Sequence, residues 1–67
     1  MNASESAIMS ALVSGSLLTQ KQIREFAPNA KRIAFNLGRL KARGAIREAG
    51  LRHSIERGSE PIYTRSM

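Results

Sequence analysis

A helix-start signal at Thr19 constrains the fold of this chain more than any other short stretch of its sequence. Gln22 follows Thr19 by three residues, which is the spacing of a capping box. The Thr19 hydroxyl can accept a hydrogen bond from the Gln22 backbone amide while the Gln22 side chain reaches back to Thr19. Leu18 before the cap and Ile23 at the fourth helical position can also pack as a hydrophobic staple. These two signals together predict a helix that begins at about residue 20.

Pro28 ends this helix after about two turns. A proline biases the residue before it away from the helical region, so we expect the helix to cover 20–26. Its candidates for the inward face are Ile23, Phe26 and Ala27. The chain then turns, and a second start signal follows almost at once.

The second helix is predicted over 30–43, with Asn29 as its cap and Gly44 as its stop residue. At 100° per residue, one narrow stripe of this helix is apolar and should face the core. That stripe consists of Ile33, Leu37 and Leu40. The opposite surface carries small residues, Gly38 and Ala42, among basic ones.

Weaker patterns flank the two helices. Ahead of them, Ser4 or Ser6 can cap a helix over 4–14 that Gly15 ends. The residues that share one face of that helix are Ile8, Ala11 and Leu12. The short segment 16–18 is either a brief extended strand or the lead-in to the Thr19 cap.

Behind the helices, segments 45–49 and 61–66 can form an antiparallel hairpin. We expect Ile46 to face the core with Ile62 or Tyr63 opposite it. The stretch between the strands contains two glycines and is predicted to be a long mobile loop.

Length and composition favour a single small domain that gains stability from association. A chain of 67 residues buries only about 60% of its unfolded surface. It has no cysteine, so helix caps and oligomerisation remain as supports, and we expect a homodimer. The same lack of cysteine, a start without basic residues and the lack of a long apolar run predict a cytoplasmic protein without a signal peptide or membrane contact.

Positive charge is concentrated in one part of the chain. The formal net charge is +6, no lysine or arginine occurs in 1–20, and no acidic residue occurs in 29–47. The basic residues of that second stretch are Lys31, Arg32, Arg39, Lys41, Arg43 and Arg47. Solvated faces usually mix both signs of charge, so this clustering favours a nucleic acid as partner.

Taken together, these residues resemble the winged helix-turn-helix family of bacterial and phage transcription regulators. The features that match are the Thr19-capped helix, the turn at Pro28 and Asn29, and the pattern Arg39-Leu40-x-x-x-Gly44-x-Ile46 that leads into the wing. The resemblance spans about 4–65. It implies an α+β fold with three helices followed by a two-stranded β-hairpin wing, and binding of double-stranded DNA, although the family also includes modules that bind proteins.

In such a fold the recognition helix enters the major groove of DNA. Lys31 and Arg32, at its amino end, are then candidates for base edges or nearby phosphates. Arg39 is a candidate for a guanine or a phosphate. Asn36 either offers a bidentate amide to adenine or bonds to the preceding helix.

Other candidates should position the protein rather than read bases. Those expected to contact phosphate or the helix end are Lys41, Arg43 and Arg47. The wing-tip candidates for the minor groove are Arg52 and Arg57, with His53 beside them; simple solvated loop charge is the alternative.

Phe35 is a large apolar residue on the outer surface of the predicted recognition helix. It can touch a thymine methyl group, pack in a dimer interface or fold back under the wing. An exposed aromatic residue on so small a domain slightly favours a protein interface.

Catalysis has little support in the sequence. His53 is the single histidine, it has no cysteine partner, and it falls in the predicted loop. No residue spacing points to a metal site, a phosphate-binding loop or a cofactor. We therefore expect no enzymatic activity and no cofactor.

Three functions remain open at this point. The first is a sequence-specific DNA-binding transcription regulator, such as a small phage or mobile-element repressor or accessory factor. The second is a protein-binding module that docks on an acidic surface of a host or phage protein, with Phe35 as the anchor. The third is a DNA-architectural or excision factor that bends its site.

Overall fold

The computed structural model describes residues 2–13, 15–56 and 58–66, with position 54 described by its backbone alone. Over these residues the fold is α+β, with three helices and one three-stranded antiparallel sheet. The elements in chain order are α1 (Ala3–Ala11), β1 (Leu18–Thr19), α2 (Gln20–Phe26), α3 (Ile33–Arg43), β2 (Ile46–Ser54) and β3 (Gly58–Arg65). None of the helices in the described part is long and apolar enough to cross a membrane.

α1 begins earlier than the sequence indicated because Asn2, rather than Ser4 or Ser6, caps it. The Asn2 Oδ1 accepts from the Glu5 backbone amide at 2.7 Å, and the Asn2 amide donates to Glu5 Oε1 at 3.0 Å, which completes a capping box. The helix ends at Ala11, before the predicted end at 14, and residue 14 lies outside the described residues. At the other end of the chain, Arg65 Nη2 donates to the Met9 carbonyl at 2.6 Å, which ties β3 to the last turn of α1.

α2 confirms the capping-box prediction and its bounds. The Gln22 amide donates to Thr19 Oγ1 at 3.3 Å, and the Thr19 amide donates to Gln22 Oε1 at 3.0 Å. One prediction for this helix is wrong, because Phe26 is 68% exposed. The buried stripe follows a spacing of four residues through Thr19, Ile23 and Ala27, and Phe26 lies beside it.

α3 starts at Ile33, three residues later than predicted, and Asn29 does not cap it. Arg32 adopts a left-handed conformation with φ 50° and ψ 53°, which ends any helical path before it. The preceding amides are bonded elsewhere: that of Ala30 donates to the Ala27 carbonyl at 3.0 Å, and that of Lys31 donates to Ser4 Oγ at 2.9 Å. Gly44, at φ 82°, ends the helix as predicted.

One hydrophobic core joins the helices to the sheet. Its buried members are Ile8, Leu12, Ile23, Ile33, Leu37, Leu40 and Ile46. The predicted α3 stripe of Ile33, Leu37 and Leu40 is therefore confirmed. Tyr63 packs against this core from β3, and burial raises its pKa above the ordinary value.

The sheet has three strands where two were expected, in the order β1-β3-β2. β1 adds the third strand: Leu18 pairs with Tyr63 and Thr19 with Ile62. A strand of two residues has no recognisable alternation, which is why the sequence left the segment before Thr19 open. Thr19 thus serves as the end of a strand and as the cap of a helix.

The hairpin is longer than predicted, and the expected long loop at 50–60 is mostly strand. Gly50 lies at a bulge, where the register shifts between Glu48 and Gly50, with φ 144°. The sequence prediction failed here because an isolated glycine marks a bulge as well as a loop. The longer pairing also corrects the register, since Ile46 lies opposite Arg65 rather than Ile62 or Tyr63.

Candidate nucleic-acid interface

The exposed side of α3 and the turn before it carry most of the predicted site residues. We call this the basic α3 surface. Its members are Lys31, Arg32, Phe35, Arg39, Lys41 and Arg43, and every one of them is exposed. Five of these side chains are cationic, and Arg43 and Lys41 stand in the last turn, where positive charge also suits the helix dipole.

Phe35 lies between two guanidinium groups. The guanidinium carbon of Arg32 lies 4.2 Å from the centroid of the Phe35 ring, and that of Arg39 lies 5.8 Å from it. Both distances are within the range of a cation–π contact, worth about 0.5–1 kcal/mol each at an exposed site. Phe35 is still 49% exposed, so this trio presents an aromatic ring and two positive charges to solvent at one place.

Arg32 lies at the residue just before α3 and has a left-handed backbone. The Arg32 side chain makes no capping hydrogen bond to α3. Its guanidinium group lies instead over the ring of Phe35, three residues later in the chain. Beside it, the Lys31 amide is held by Ser4 of α1 while its side chain stays exposed. Within the described part of the chain, neither Lys31 nor Arg32 forms a salt bridge.

A buried carboxylate, Glu5, lies against the other end of the surface. Glu5 is 1% exposed; its Oε2 accepts a hydrogen bond from Arg43 Nη2 and lies 3.8 Å from Arg39 Nε. The hydrogen bond from the Asn2 backbone lowers the pKa of Glu5 below its ordinary value, and the charges of Arg43 and Arg39 lower it further, against the opposing effect of burial. Glu5 therefore stays ionised and holds two arginines of α3 in place.

A second carboxylate lies at the carboxyl end of α3. Lys41 Nζ donates to Glu48 Oε1 at 2.7 Å, and this hydrogen bond raises the pKa of Lys41 above its ordinary value. Both side chains are partly exposed, so the pair contributes little to stability. The five cations of the basic α3 surface and the two carboxylates of Glu5 and Glu48 give a local charge of +3. The sequence of α3 alone contains no acidic residue, so it did not indicate these two negative charges.

Asn36 does not point outward, which excludes the adenine contact in this conformation. Its side chain is 4% exposed, its Nδ2 donates to the Lys31 carbonyl at 2.7 Å, and its Oδ1 accepts from Asn2 Nδ2 at 3.4 Å. Asn36 lies at the boundary between the buried face and the exposed face of α3. Its side-chain amide donates a hydrogen bond to the backbone of the turn before the helix. Asn36 is therefore a structural residue that supports the turn carrying Lys31 and Arg32.

The predicted wing residues are spread over the hairpin. Arg47 and Arg52 are exposed on β2, opposite Thr64 and Glu60 of β3, whereas Arg57 lies outside the described residues. Arg52 lines a polar groove together with Glu25, Glu56 and Glu60. The charge near Arg52 is therefore mixed, and the basic α3 surface is the more strongly positive of the two regions.

His53 lies in β2 rather than in a loop, which corrects the predicted location. Its Nδ1 lies 2.9 Å from the Ser59 Oγ of the neighbouring strand, and both side chains are exposed. The hydrogen bond joins residues that are paired across the hairpin. This contact is a side-chain link between β2 and β3.

Sequence reasoning missed two residues of interest. Glu5 is separated from Arg39 and Arg43 by more than thirty residues, so no local pattern could have paired them; its position three residues after Asn2 marks only the helix cap. Ile55, at the tip of the hairpin, is fully exposed, whereas the sequence predicts only a loop over this segment.

Comparisons with protein-family models, with curated proteins and with solved structures give no match for this chain.

Proposed function

We propose that this chain is a sequence-specific transcription regulator that binds double-stranded DNA through α3 in the manner of a winged helix-turn-helix protein. In biological terms it would be a small phage or mobile-element repressor or accessory factor. The order of the elements supports this proposal: a helix, a short strand, two helices joined by a turn, and a long hairpin. β2 and β3 would form the wing, and β1 would extend its sheet at the base.

The observation that carries the proposal is the basic α3 surface itself. A net charge of +3 is concentrated on one helix and the turn before it, and the two cations at its amino end, Lys31 and Arg32, form no salt bridge with the carboxylates that the structure describes. Lysine and arginine side chains in such a cluster neutralise phosphates and release the counterions that surround DNA. The amino-terminal residues of a recognition helix are also the ones that meet base edges in helix-turn-helix complexes.

The arrangement around Phe35 also suits a DNA partner. Arg32 and Arg39 lie at its ring, so two guanidinium groups are held at one place on the surface. Guanidinium groups form bidentate hydrogen bonds with phosphates and with the O6 and N7 acceptors of guanine, and they pair with carboxylates as well. The salt dependence of duplex binding therefore has to separate DNA from an acidic protein as the partner of α3.

Salt dependence is the direct test of this proposal. Binding to a random duplex should weaken steeply as salt rises, with a slope in the logarithmic plot of about −0.9 for each phosphate contacted. We expect a slope between about −3 and −5, which corresponds to about three to six phosphate contacts and is within what the five cations of the basic α3 surface can supply. The absence of duplex binding at low salt would reject the proposal.

Sequence specificity needs a second comparison, between Arg39 and Lys41. On a duplex obtained by selection from random sequences, Arg39→Ala should cost about 1–3 kcal/mol, and it should cost less on random DNA. Lys41→Ala should weaken binding to both duplexes alike, because a phosphate contact carries no sequence information. Equal losses on both duplexes for Arg39→Ala would exclude Arg39 as a base-reading residue.

A further inference from the structure

The first residue of the α3 start, Arg32, departs from the usual helix start in two ways. The capping position normally has an extended backbone and a short polar side chain that accepts a hydrogen bond from the helix. Arg32 has a left-handed backbone, with φ 50° and ψ 53°, and makes no side-chain cap. Among the residues that the structure describes, it is the only non-glycine residue with a positive φ.

This conformation costs free energy for a residue with a long side chain. Glycine adopts the left-handed region without steric cost, and asparagine visits it more readily than arginine does. Stability alone would therefore favour one of those residues at position 32. Local rules are broken in this way chiefly at functional sites, and only where the surrounding structure holds the strained backbone.

Hydrogen bonds from two helices hold the backbone on both sides of Arg32. The Lys31 carbonyl, which belongs to the peptide group before Arg32, accepts from Asn36 Nδ2 at 2.7 Å. The Arg32 carbonyl accepts from the Asn36 backbone amide at 2.9 Å. Rotation of either peptide group about the Arg32 Cα would break one of these bonds. Asn36 thus fixes both φ and ψ of Arg32.

α1 completes this arrangement from the opposite side. Ser4 Oγ accepts from the Lys31 amide at 2.9 Å, and Asn2 Nδ2 donates to Asn36 Oδ1 at 3.4 Å. We call the side chains of Asn2, Ser4 and Asn36 the Lys31 clamp. All three are neutral, so the clamp leaves the charge of the basic α3 surface unchanged.

The clamp fixes the backbone of two cations whose side chains form no salt bridge within the described residues. The guanidinium group of Arg32 is further placed by the Phe35 ring, 4.2 Å away. Long flexible side chains lose conformational entropy when they bind a ligand, and a backbone that is fixed beforehand reduces that loss. The strain at Arg32 is then the cost of presenting Lys31 and Arg32 from a rigid turn.

We propose that the Lys31 clamp positions Lys31 and Arg32 for contact with DNA. Ser4 and Asn36 are positioning residues, because they act through the two cations and do not themselves touch the duplex. This inference rests on the proposed function, and it adds residues of α1 to a surface that is otherwise built from α3 and the turn before it.

Ser4→Ala, assayed for duplex binding at low salt, tests the clamp. The change removes the acceptor of the Lys31 amide and alters no charge. Affinity should fall about 3- to 10-fold, as expected for the loss of one hydrogen bond. Ser4→Thr keeps a hydroxyl and should restore the affinity of the wild-type chain. Ser6→Ala, at an exposed serine of the same helix, is the matched control and should have no effect.

A double-mutant cycle separates positioning from a general loss of folding. In the Lys31→Ala, Arg32→Ala chain no cation remains for the clamp to position, so adding Ser4→Ala should not weaken binding further. A variant that merely unfolds part of the population would lose affinity by the same factor in both chains. Circular dichroism on each variant establishes that it is folded.

Asn36→Ala provides a second variant, since it removes both side-chain bonds of Asn36. It should weaken duplex binding more than Ser4→Ala does, and again only in the chain that retains Lys31 and Arg32. Amide hydrogen exchange without DNA gives a direct readout, because Lys31 should exchange faster in Ser4→Ala than in the wild-type chain.

The possible results are distinct. Wild-type affinity of Ser4→Ala, or equal losses with and without Lys31 and Arg32, would overturn the clamp and leave the proposed function intact. Unchanged exchange of the Lys31 amide in Ser4→Ala would overturn it as well. No duplex binding by the wild-type chain would reject the proposed function and the clamp together.

Discussion

The molecule exposes two phenylalanines on consecutive helices, and their surroundings differ. Phe35 of α3 has a guanidinium group 4.2 Å from its ring centroid and a second one at 5.8 Å. Phe26 of α2 lies on a groove between α1 and the end of α2 in which no described lining residue is ionisable. The same side chain thus belongs to a charged surface in one case and to an apolar surface in the other. The neighbouring residues, rather than the phenylalanine, indicate what kind of partner each surface suits.

Removing the two cations at the amino end of α3 should weaken duplex binding more than any other change proposed for the charged surface around Phe35. We expect Lys31→Ala combined with Arg32→Ala to reduce the salt slope of duplex binding by about 2 and to lower affinity at low salt on the order of 100-fold, because two phosphate contacts are lost. Thermal stability should change little, since both side chains are exposed and form no salt bridge within the described residues.

Lys21→Ala combined with Arg24→Ala is the matched control for charge and residue type. Both residues are exposed on α2, and each lines a groove that also contains the carboxylate of Glu60. Their removal should change the slope and the affinity less than removal of the α3 pair. An equal or larger effect of the α2 pair would place the DNA contact on a different surface.

Neutralising Glu5 should have the next largest effect on duplex binding. We expect the change to lower the stability of the fold but to strengthen DNA binding. Its pKa in the folded chain lies below the ordinary value of 4.5, so its contribution to stability is complete above that pH and is lost as pH falls through the folded pKa. Glu5→Gln keeps a side chain that can complete the capping box with Asn2, but it removes the charge. The variant should melt a few degrees lower at pH 7 and show less loss of stability below pH 4.5.

The same variant should bind duplex DNA a few-fold more tightly at pH 7. Arg39 and Arg43 lose their carboxylate, and the charge of the basic α3 surface rises by one. Glu25→Gln, a neutralised exposed carboxylate on α2, is the control for net charge and should have a smaller effect. A lower affinity of Glu5→Gln would contradict this prediction, and it would show that the contacts of Glu5 with Arg39 and Arg43 matter more for DNA binding than the negative charge that Glu5 adds.

Gly38→Ala is the change that alters the basic α3 surface least, because it leaves every charge of that surface in place. Gly38 is an exposed position inside α3, and a Cβ added there meets nothing within 4 Å. Alanine should raise the free energy of unfolding by up to about 1 kcal/mol, which in a domain of this size raises the melting temperature by about 4–8 °C. If the α3 backbone approaches DNA closely at this point, the variant should bind several-fold more weakly. A stabilised variant with unchanged affinity would show that Gly38 is a tolerated surface residue.

The residues that sequence analysis located well are those whose structure depends on near neighbours. The Thr19 capping box, the bounds of α2, the buried stripe of α3 and the stop at Gly44 all follow from spacing within one or two turns. Phe26 shows the limit of this reasoning, because periodicity allows residues on either side of a buried stripe to face inward.

The predictions that failed depend on contacts between distant parts of the chain. α3 starts late because the Lys31 amide bonds to Ser4, 27 residues earlier, and Asn36 is buried because its side chain bonds to Lys31 and Asn2. The charge of the basic α3 surface was overestimated for the same reason, since Glu5 comes from α1. None of these contacts leaves a periodic or compositional signal, so the sequence placed the candidate residues on α3 and the hairpin but could not show which partners hold them.

The proposed function requires that the basic α3 surface is the part of the chain that contacts DNA. The most direct measurement is a titration of the isotopically labelled chain with duplex DNA at low salt, followed by amide chemical shifts in NMR spectra. The account predicts that the largest shifts occur between Lys31 and Arg39, while the signals of Ala7, Ala11 and Phe26 change little. Largest shifts at the groove residues, or no shifts on addition of DNA, would contradict it.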